Sequence, residues 1–303
     1  MNRASAGKRK TMNQMRKQEA LCGYLFALPW LIGLFVFTLY PIFSSLFYSF
    51  TNYNFSSTFK WIGLTNYKVL FTRDKMIPLS TYNTLYFAIF SVPLNMCVGI
   101  LIAVMMNQKI CGIRILRTIY YLPNVVSIVA VSMLWYFIFQ SNGVLNMLLG
   151  AIKIQGPNWL SDPAWAKNAL ILMNCWNAGG SMVIYLAGLQ GIPRSYYEAA
   201  EVDGAGALRK FFSITLPLLS PSIFYNLIIG IIGALQTFST ALVMTDGGPV
   251  NSTTFYVLTL YRRAFEDMRM GYASAMAWVL MVITLLLTLV VFWIGNKKVY
   301  YEQ

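Results

Sequence analysis

The sequence predicts an all-α integral membrane protein with six transmembrane helices. Hydrophobic residues make up 57% of the 303-residue chain and charged residues 11%, with a mean hydropathy of +0.58. A soluble domain carries about a quarter charged residues. Six apolar runs, at 21–47, 82–106, 118–140, 168–189, 218–244 and 272–295, contain no Lys, Arg, Asp or Glu. Each is at least as long as the ~20 residues needed to cross ~30 Å of hydrocarbon.

Residues 1–20 are polar and basic, with Arg3, Lys8, Arg9, Lys10, Arg16 and Lys17 against Glu19 alone. A basic start before an apolar run also describes a signal peptide. Here the run exceeds an h-region of ~7–15 residues and no small-x-small site closes it, so an uncleaved first helix is expected. Six spans place both termini on one side. With the N-terminus inside, the cytoplasmic segments hold about 14 of the 23 Lys and Arg in ~67 residues, against about 9 in ~88 outside. Lys109, Arg114, Arg117, Arg194, Arg209, Lys210, Lys297 and Lys298 lie close to span ends on that inner side. The +13 net charge therefore reads as membrane topology and not as a nucleic-acid surface. The expected organisation is a cytoplasmic basic segment at 1–20, a first helix and external loop at 21–81, a five-helix core at 82–295, and a cytoplasmic tail at 296–303.

The chain has no histidine, and its ten acidic residues are scattered, which leaves little for acid–base, metal or nucleophile chemistry. Cys22, Cys97, Cys111 and Cys175 form no CxxC pair and are expected to act as packing residues. Residues 143–152 carry Val144, Leu145, Leu148, Leu149 and Ile152 at helical spacing, which predicts a short interfacial helix. Pro163, Trp159 and Trp165 beside it are expected at the membrane edge; contact with an external binding protein is the alternative.

Between the fourth and fifth runs lies a polar island, Glu198 to Pro221. Residues 196–202 and 208–214 are amphipathic, and Gly204 between them can adopt φ > 0 and turn the chain. Pro217 is expected to open the next helix, where its missing N–H costs nothing. Asp203 is expected to cap the following turn or to pair with Arg209. The residues Glu198-Ala199-Ala200, then Gly204, then Ile214, Leu216 and Pro217 meet in full the pattern Glu-Ala-Ala, three residues, Gly, nine residues, Ile-x-Leu-Pro. This resembles the EAA loop of ABC-importer permease subunits. Further stretches resemble the sugar-type branch of that family: Tyr40-Pro41-Ile42, Trp61-Ile62-Gly63-Leu64-Thr65-Asn66-Tyr67, Asn83-Thr84-Leu85 opening the second span, Leu122-Pro123, and Thr245-Asp246-Gly247-Gly248-Pro249 with Thr253-Thr254.

The resemblance implies a type I ABC importer permease (MetI-like) fold, with residues 190–217 as a cytoplasmic coupling loop. It implies a multi-pass inner-membrane subunit that is not an enzyme. Its partners would be a second homologous permease chain in a heterodimer, two ATPase subunits and an extracytoplasmic solute-binding protein, and its cargo a carbohydrate. No cofactor is expected in this chain; ATP and Mg would bind the partner ATPases. Glu198, Ala199, Ala200, Asp203, Gly204, Ile214, Leu216 and Pro217 would then carry the coupling. Two observations from the residues themselves agree. No apolar run holds an ionisable side chain, the usual mark of ion-coupled transport, and no GxxxxGK[ST] loop supplies ATP hydrolysis within the chain. A glycerol-3-phosphate or polyol importer, or an ion-coupled secondary transporter, is the alternative reading.

A solute pathway is expected as a polar stripe on a span. In the fourth run Asn174, Asn177, Ser181 and Tyr185 recur at intervals of three and four, with Trp176 beside them. In the fifth, Asn226, Gly230 and Thr237 lie on one face, flanked by Tyr225 and Gln236. Amides and hydroxyls match the donors and acceptors of a sugar, and the aromatic rings would stack on its faces. The same residue types also serve helix packing. The absence of Lys and Arg from every run argues for a neutral, hydroxyl-rich solute.

Overall fold

A computed structural model describes residues 19–56, 58–108 and 112–295; the expectations for the basic start, Lys109, Cys111 and the 296–303 tail lie outside them. Three helices are long and apolar enough to cross a membrane unaided: Glu19–Ser49 (span 1), Met76–Met106 (span 2) and Met270–Gly295 (span 6). Three bent pairs complete the six. Ile113–Asn124 meets Ile128–Ile138 at 96° (span 3), Pro163–Trp176 meets Gly179–Gly191 at 45° (span 4), and Ala207–Leu218 meets Ser220–Leu235 at 65° (span 5).

The unbroken runs expected for spans 3, 4 and 5 are therefore corrected. Hydropathy counts apolar side chains and is blind to backbone breaks. In span 3 the chain tightens to a 3₁₀ turn at Leu122–Asn124, around Pro123. In span 4 the weak helix formers Asn177, Gly179 and Gly180 meet at the bend. In span 5 the new helix starts at Ser220 with Pro221 in its first turn. That helix ends at Leu235, short of the expected 244. The chain then turns into Ser239–Met244, which packs against Ile128–Ile138. Span 2 is the central element, packed against both halves of span 4 and against Ser220–Leu235. It begins at Met76, so Asn83 and Thr84 lie two turns inside it.

The segments between spans 1 and 2 and between spans 5 and 6 meet at one end of the molecule. Asn66 Nδ2 donates to the carbonyls of Ser49 and Thr51, 2.8 Å each, and Gly271 N–H donates to Tyr53 O at 2.8 Å. Asn83 Nδ2 donates to Asn251 O and Thr254 O at 2.9 and 3.1 Å, tying the Thr245–Thr254 loop onto span 2. Arg262 holds that loop from beneath, donating to the Asp246 carbonyl and carboxylate at 2.7 and 2.8 Å. Lys167 in span 4 reaches Asn83 Oδ1 at 3.1 Å. Nearby, helix Val144–Ala151 forms as expected, but Trp159 is half-buried and donates to Asn146 Oδ1 at 2.8 Å. It braces that helix; Trp165 keeps an exposed face.

The Asp74 side chain, 8% exposed, places a largely buried charge at this end. Its carboxylate accepts from Arg263 at 3.0 Å, from Tyr272 OH at 2.9 Å and from Met76 N–H at 2.9 Å. One group thus joins the start of span 2, the segment before span 6, and span 6 itself. Removing one partner of a buried pair leaves the other charge uncompensated. Arg263→Ala is expected to lower stability by about 3 kcal/mol, the low end for such pairs because the arginine is partly exposed. The measurement is thermal unfolding of the purified protein in detergent, where Arg263→Lys should lose less. A loss below about 1 kcal/mol, as for a surface pair, would contradict the assignment.

Candidate functional site

At the opposite end from Asp74, helix Arg194–Val202 and the first half of span 5 form the two arms of an elbow. Asp203 closes the first arm, Gly204 takes φ +73°, Gly204 N–H donates to Glu201 O at 3.0 Å and Ala205 N–H to Ala200 O at 2.8 Å. This is a Schellman ending, which favours glycine at the left-handed position. The second arm begins at Ala207 and runs to Leu218, with one wide π turn at Phe211–Thr215. Pro217 lies inside that arm and does not open a new helix. Its ring would crowd the carbonyl four residues back, and the wide turn just before it gives the room. Asp203 neither pairs with Arg209 nor caps the next turn with its side chain among the described residues. The ion pair of the elbow is Glu201–Lys210 at 2.7 Å.

Glu198 and Ala199 are exposed and Ala200 is partly so. Val202, Leu208 and Phe212, all more than half exposed, place apolar surface near the same tip. Ile214, Leu216 and Pro217 are half-buried at the base, where Ile214 packs with Leu189, Ile192 and Leu219.

A cavity of about 580 Å³ lies between spans 2, 3, 4 and 5. Of the expected pathway residues, Asn174, Asn177, Ser181, Tyr225, Asn226, Gly230 and Thr237 line it. Three do not. Trp176 turns to a separate apolar hollow beside Trp135 and Cys175. Tyr185 is fully buried, packed with Ala103, Met106 and Met182. Gln236 faces a gap between spans 5 and 6. Trp176 and Gln236 stand beside their stripes and so face other neighbours; Tyr185 shares a helix with Ser181 but lies one turn further along, where spans 2 and 4 close on each other.

Ser91, Asn95 and Asn124 also line the cavity and escaped the stripe reading. The signal was present for two of them: Ser91 and Asn95 are spaced i,i+4 in an otherwise apolar run. Asn95 Nδ2 donates to Asn174 O at 2.8 Å, and Ser181 Oγ donates to Asn95 Oδ1 at 3.3 Å. In the amide orientation that satisfies its neighbours, Asn124 donates to Asn177 O and accepts from Gly180 N–H, 3.1 Å each. Two amides from spans 2 and 3 thus stitch the backbone break of span 4, on both sides of Ala178. The approach is close: a Cβ on Gly179 would collide with the Tyr120 carbonyl oxygen.

This arrangement of six spans, a polar cavity behind broken helices and an exposed elbow defines a transport subunit. The family described as "Binding-protein-dependent transport system inner membrane component" matches residues 95–297, and the chain belongs to it. YesP of Bacillus subtilis (strain 168), a probable ABC transporter permease protein, is 44% identical over 291 residues, 95% of this chain and 94% of its own. LacF of Rhizobium radiobacter, a lactose transport system permease protein, is 35% identical over 94% of this chain and 98% of its own. Among solved structures, a chain of a bacterial ABC transporter involved in the import of the acidic polysaccharide alginate superposes with a TM-score of 0.80. It is 26% identical and covers 95% of this chain and 99% of its own. The protein is therefore an ABC-importer permease, a multi-pass membrane subunit and not an enzyme.

The break in span 4 makes a differential prediction. At Gly179 the obstacle is a backbone oxygen, which cannot swing away; at Gly180 it is the Asn124 side chain, 3.0 Å from a built Cβ. Gly179→Ala is expected to cost about 1–3 kcal/mol, as overpacking does. Thermal unfolding should show Gly180→Ala to be clearly milder. Equal losses would place the close contact elsewhere.

Proposed function

We propose that this chain forms one half of the membrane pathway of an ATP-driven, binding-protein-dependent importer for a neutral oligosaccharide. The observation that carries this reading is the cavity. Its walls offer five asparagine amides, three Ser/Thr hydroxyls and Tyr225, with no Asp, Glu, Lys or Arg. Amides present donors and acceptors together, as a polyhydroxylated solute requires, and a volume of about 580 Å³ falls in the range of small-molecule sites. The sugar named for LacF and the polysaccharide named for the alginate system support a carbohydrate; the uncharged walls favour a neutral one.

In this reading a second, related permease chain completes the pathway, an extracytoplasmic binding protein delivers the solute, and two ATPase subunits bind ATP and Mg. Both termini are cytoplasmic, as the charge distribution favours, so the elbow faces the ATPases. Glu198 makes no hydrogen bond or ion pair among the described residues, which leaves its carboxylate for charge-assisted bonds to a partner. Ala199 and Ala200 keep the arm thin enough to enter a groove, and Val202, Leu208 and Phe212 supply apolar contact. Gly204 sets the angle between the arms. ATP binding then shifts the population between two arrangements of the spans.

Glu198→Ala and Gly204→Pro are expected to abolish uptake while the protein still inserts, since proline cannot adopt the φ of +73° at Gly204. Transport by cells carrying each variant, with its amount in the membrane measured in parallel, checks this. Normal uptake by a normally expressed Gly204→Pro variant would overturn the coupling role. Import confined to an anionic compound, measured across neutral oligosaccharides and sugar or glycerol phosphates, would overturn the neutral cargo.

A further inference from the structure

The two arms of the elbow are joined by more than the turn at Gly204. Near the tip, Lys210 Nζ meets Glu201 Oε1 at 2.7 Å. Nearer the membrane, Tyr197 OH and Thr215 Oγ1 are 3.0 Å apart, with Thr215 buried. The Tyr197 ring joins Ile214 and Leu218 against the apolar cluster of Leu189, Ile192 and Leu219. The exposed ion pair alone would add little, since such pairs contribute roughly 0–1 kcal/mol. The tyrosine hydroxyl bond sits in a drier place, where a hydrogen bond is electrostatically stronger than in water.

Both ends of this joined unit are articulated. On one side the chain leaves span 4 through Ile192 and Pro193, which are extended, with ψ of 121° and 135°. On the other, the second arm meets Ser220–Leu235 at a 65° bend, and that helix carries Tyr225, Asn226, Gly230 and Gly233 of the cavity wall. A cross-tied body between two breaks moves as one piece. A push at its tip then reaches the cavity helix instead of being absorbed by the arms sliding on each other.

We infer that Tyr197 and Lys210 are positioning residues for coupling: through Thr215 and Glu201 they lock the elbow into a rigid bracket that transmits partner motion to span 5. The inference rests on the proposed ATP-driven reading. It assigns Glu201 to the chain's own bracket and leaves Glu198 to the partner.

The test uses the complete transporter in proteoliposomes, with both permease chains, the ATPase subunits, the binding protein and its transported sugar. Uptake and ATP hydrolysis are measured together. Tyr197→Phe combined with Lys210→Gln keeps the aromatic ring but removes both polar ties. It is expected to retain its ATPase subunits and stimulated hydrolysis while ATP consumed per sugar imported rises by roughly fivefold or more, the lower end of allosteric coupling effects. Glu201→Lys and Lys210→Glu should each raise the ratio, and the double reversal should bring it back toward that of the unaltered protein. An unchanged ratio in the Tyr197/Lys210 double variant, loss of the ATPase subunits from it, or no recovery in a normally assembled reversal would overturn the bracket. Failure of the unaltered transporter to couple uptake to ATP would instead overturn the proposed function.

Discussion

Hydrocarbon offers an amide no water, and most of this architecture follows from that constraint. A backbone break at membrane depth is tolerated only where protein or a wet cavity satisfies the freed groups. Span 4 breaks at Asn177–Ala178, and the freed groups find Asn95 of span 2 and Asn124 of span 3. The amides that repair the break are also wall residues of the cavity. Polar side chains are therefore gathered where they are satisfied, and the same gathering creates a surface that a hydrated solute can use. The broken helices and the cavity are one feature seen from two sides.

The two ends of the molecule are built differently. The end bearing Asp74 is tied by a buried charge, by Asn66 and by Asn83, each of which joins segments distant in sequence. The elbow itself is tied within one short segment, 197–215. A wall fixed by long-range bonds at one end and by a locally cross-tied body at the other is suited to motion that enters through the second. The charge-free runs fit motion supplied from outside the chain: none of the six apolar runs holds a carboxylate that could use an ion gradient.

Much of this architecture is legible in the amino-acid sequence. Apolar length found all six spans, and the residue types around Glu198 and Gly204 located an elbow whose Schellman turn has the glycine where φ is positive. Helical spacing points to six cavity residues, with Tyr225 beside them. What spacing does not carry is how far a cavity extends along a helix: Tyr185, one turn beyond Ser181, is packed between spans 2 and 4, and Trp176 and Gln236, beside the stripes, face other hollows. Asn124 could not be found by periodicity at all, since it lies at the end of a half-span and acts on another helix. Pro217 misled for a related reason: a proline marks where a helix begins only if no wide turn precedes it to make room.

In the proposed function, the two arrangements of the spans would open the cavity to opposite sides under control of the elbow. Site-directed thiol labelling tests it most directly. Thr237→Cys, in a chain whose natural cysteines are replaced, is reconstituted with its partners in vesicles of known orientation and exposed to a membrane-impermeant thiol reagent. With the ATPases empty, the account predicts labelling from the side of the elbow only. With ATP held unhydrolysed and the loaded binding protein present, it predicts labelling from the opposite side only. Labelling from the same side in both states, or from both sides at once, would contradict it.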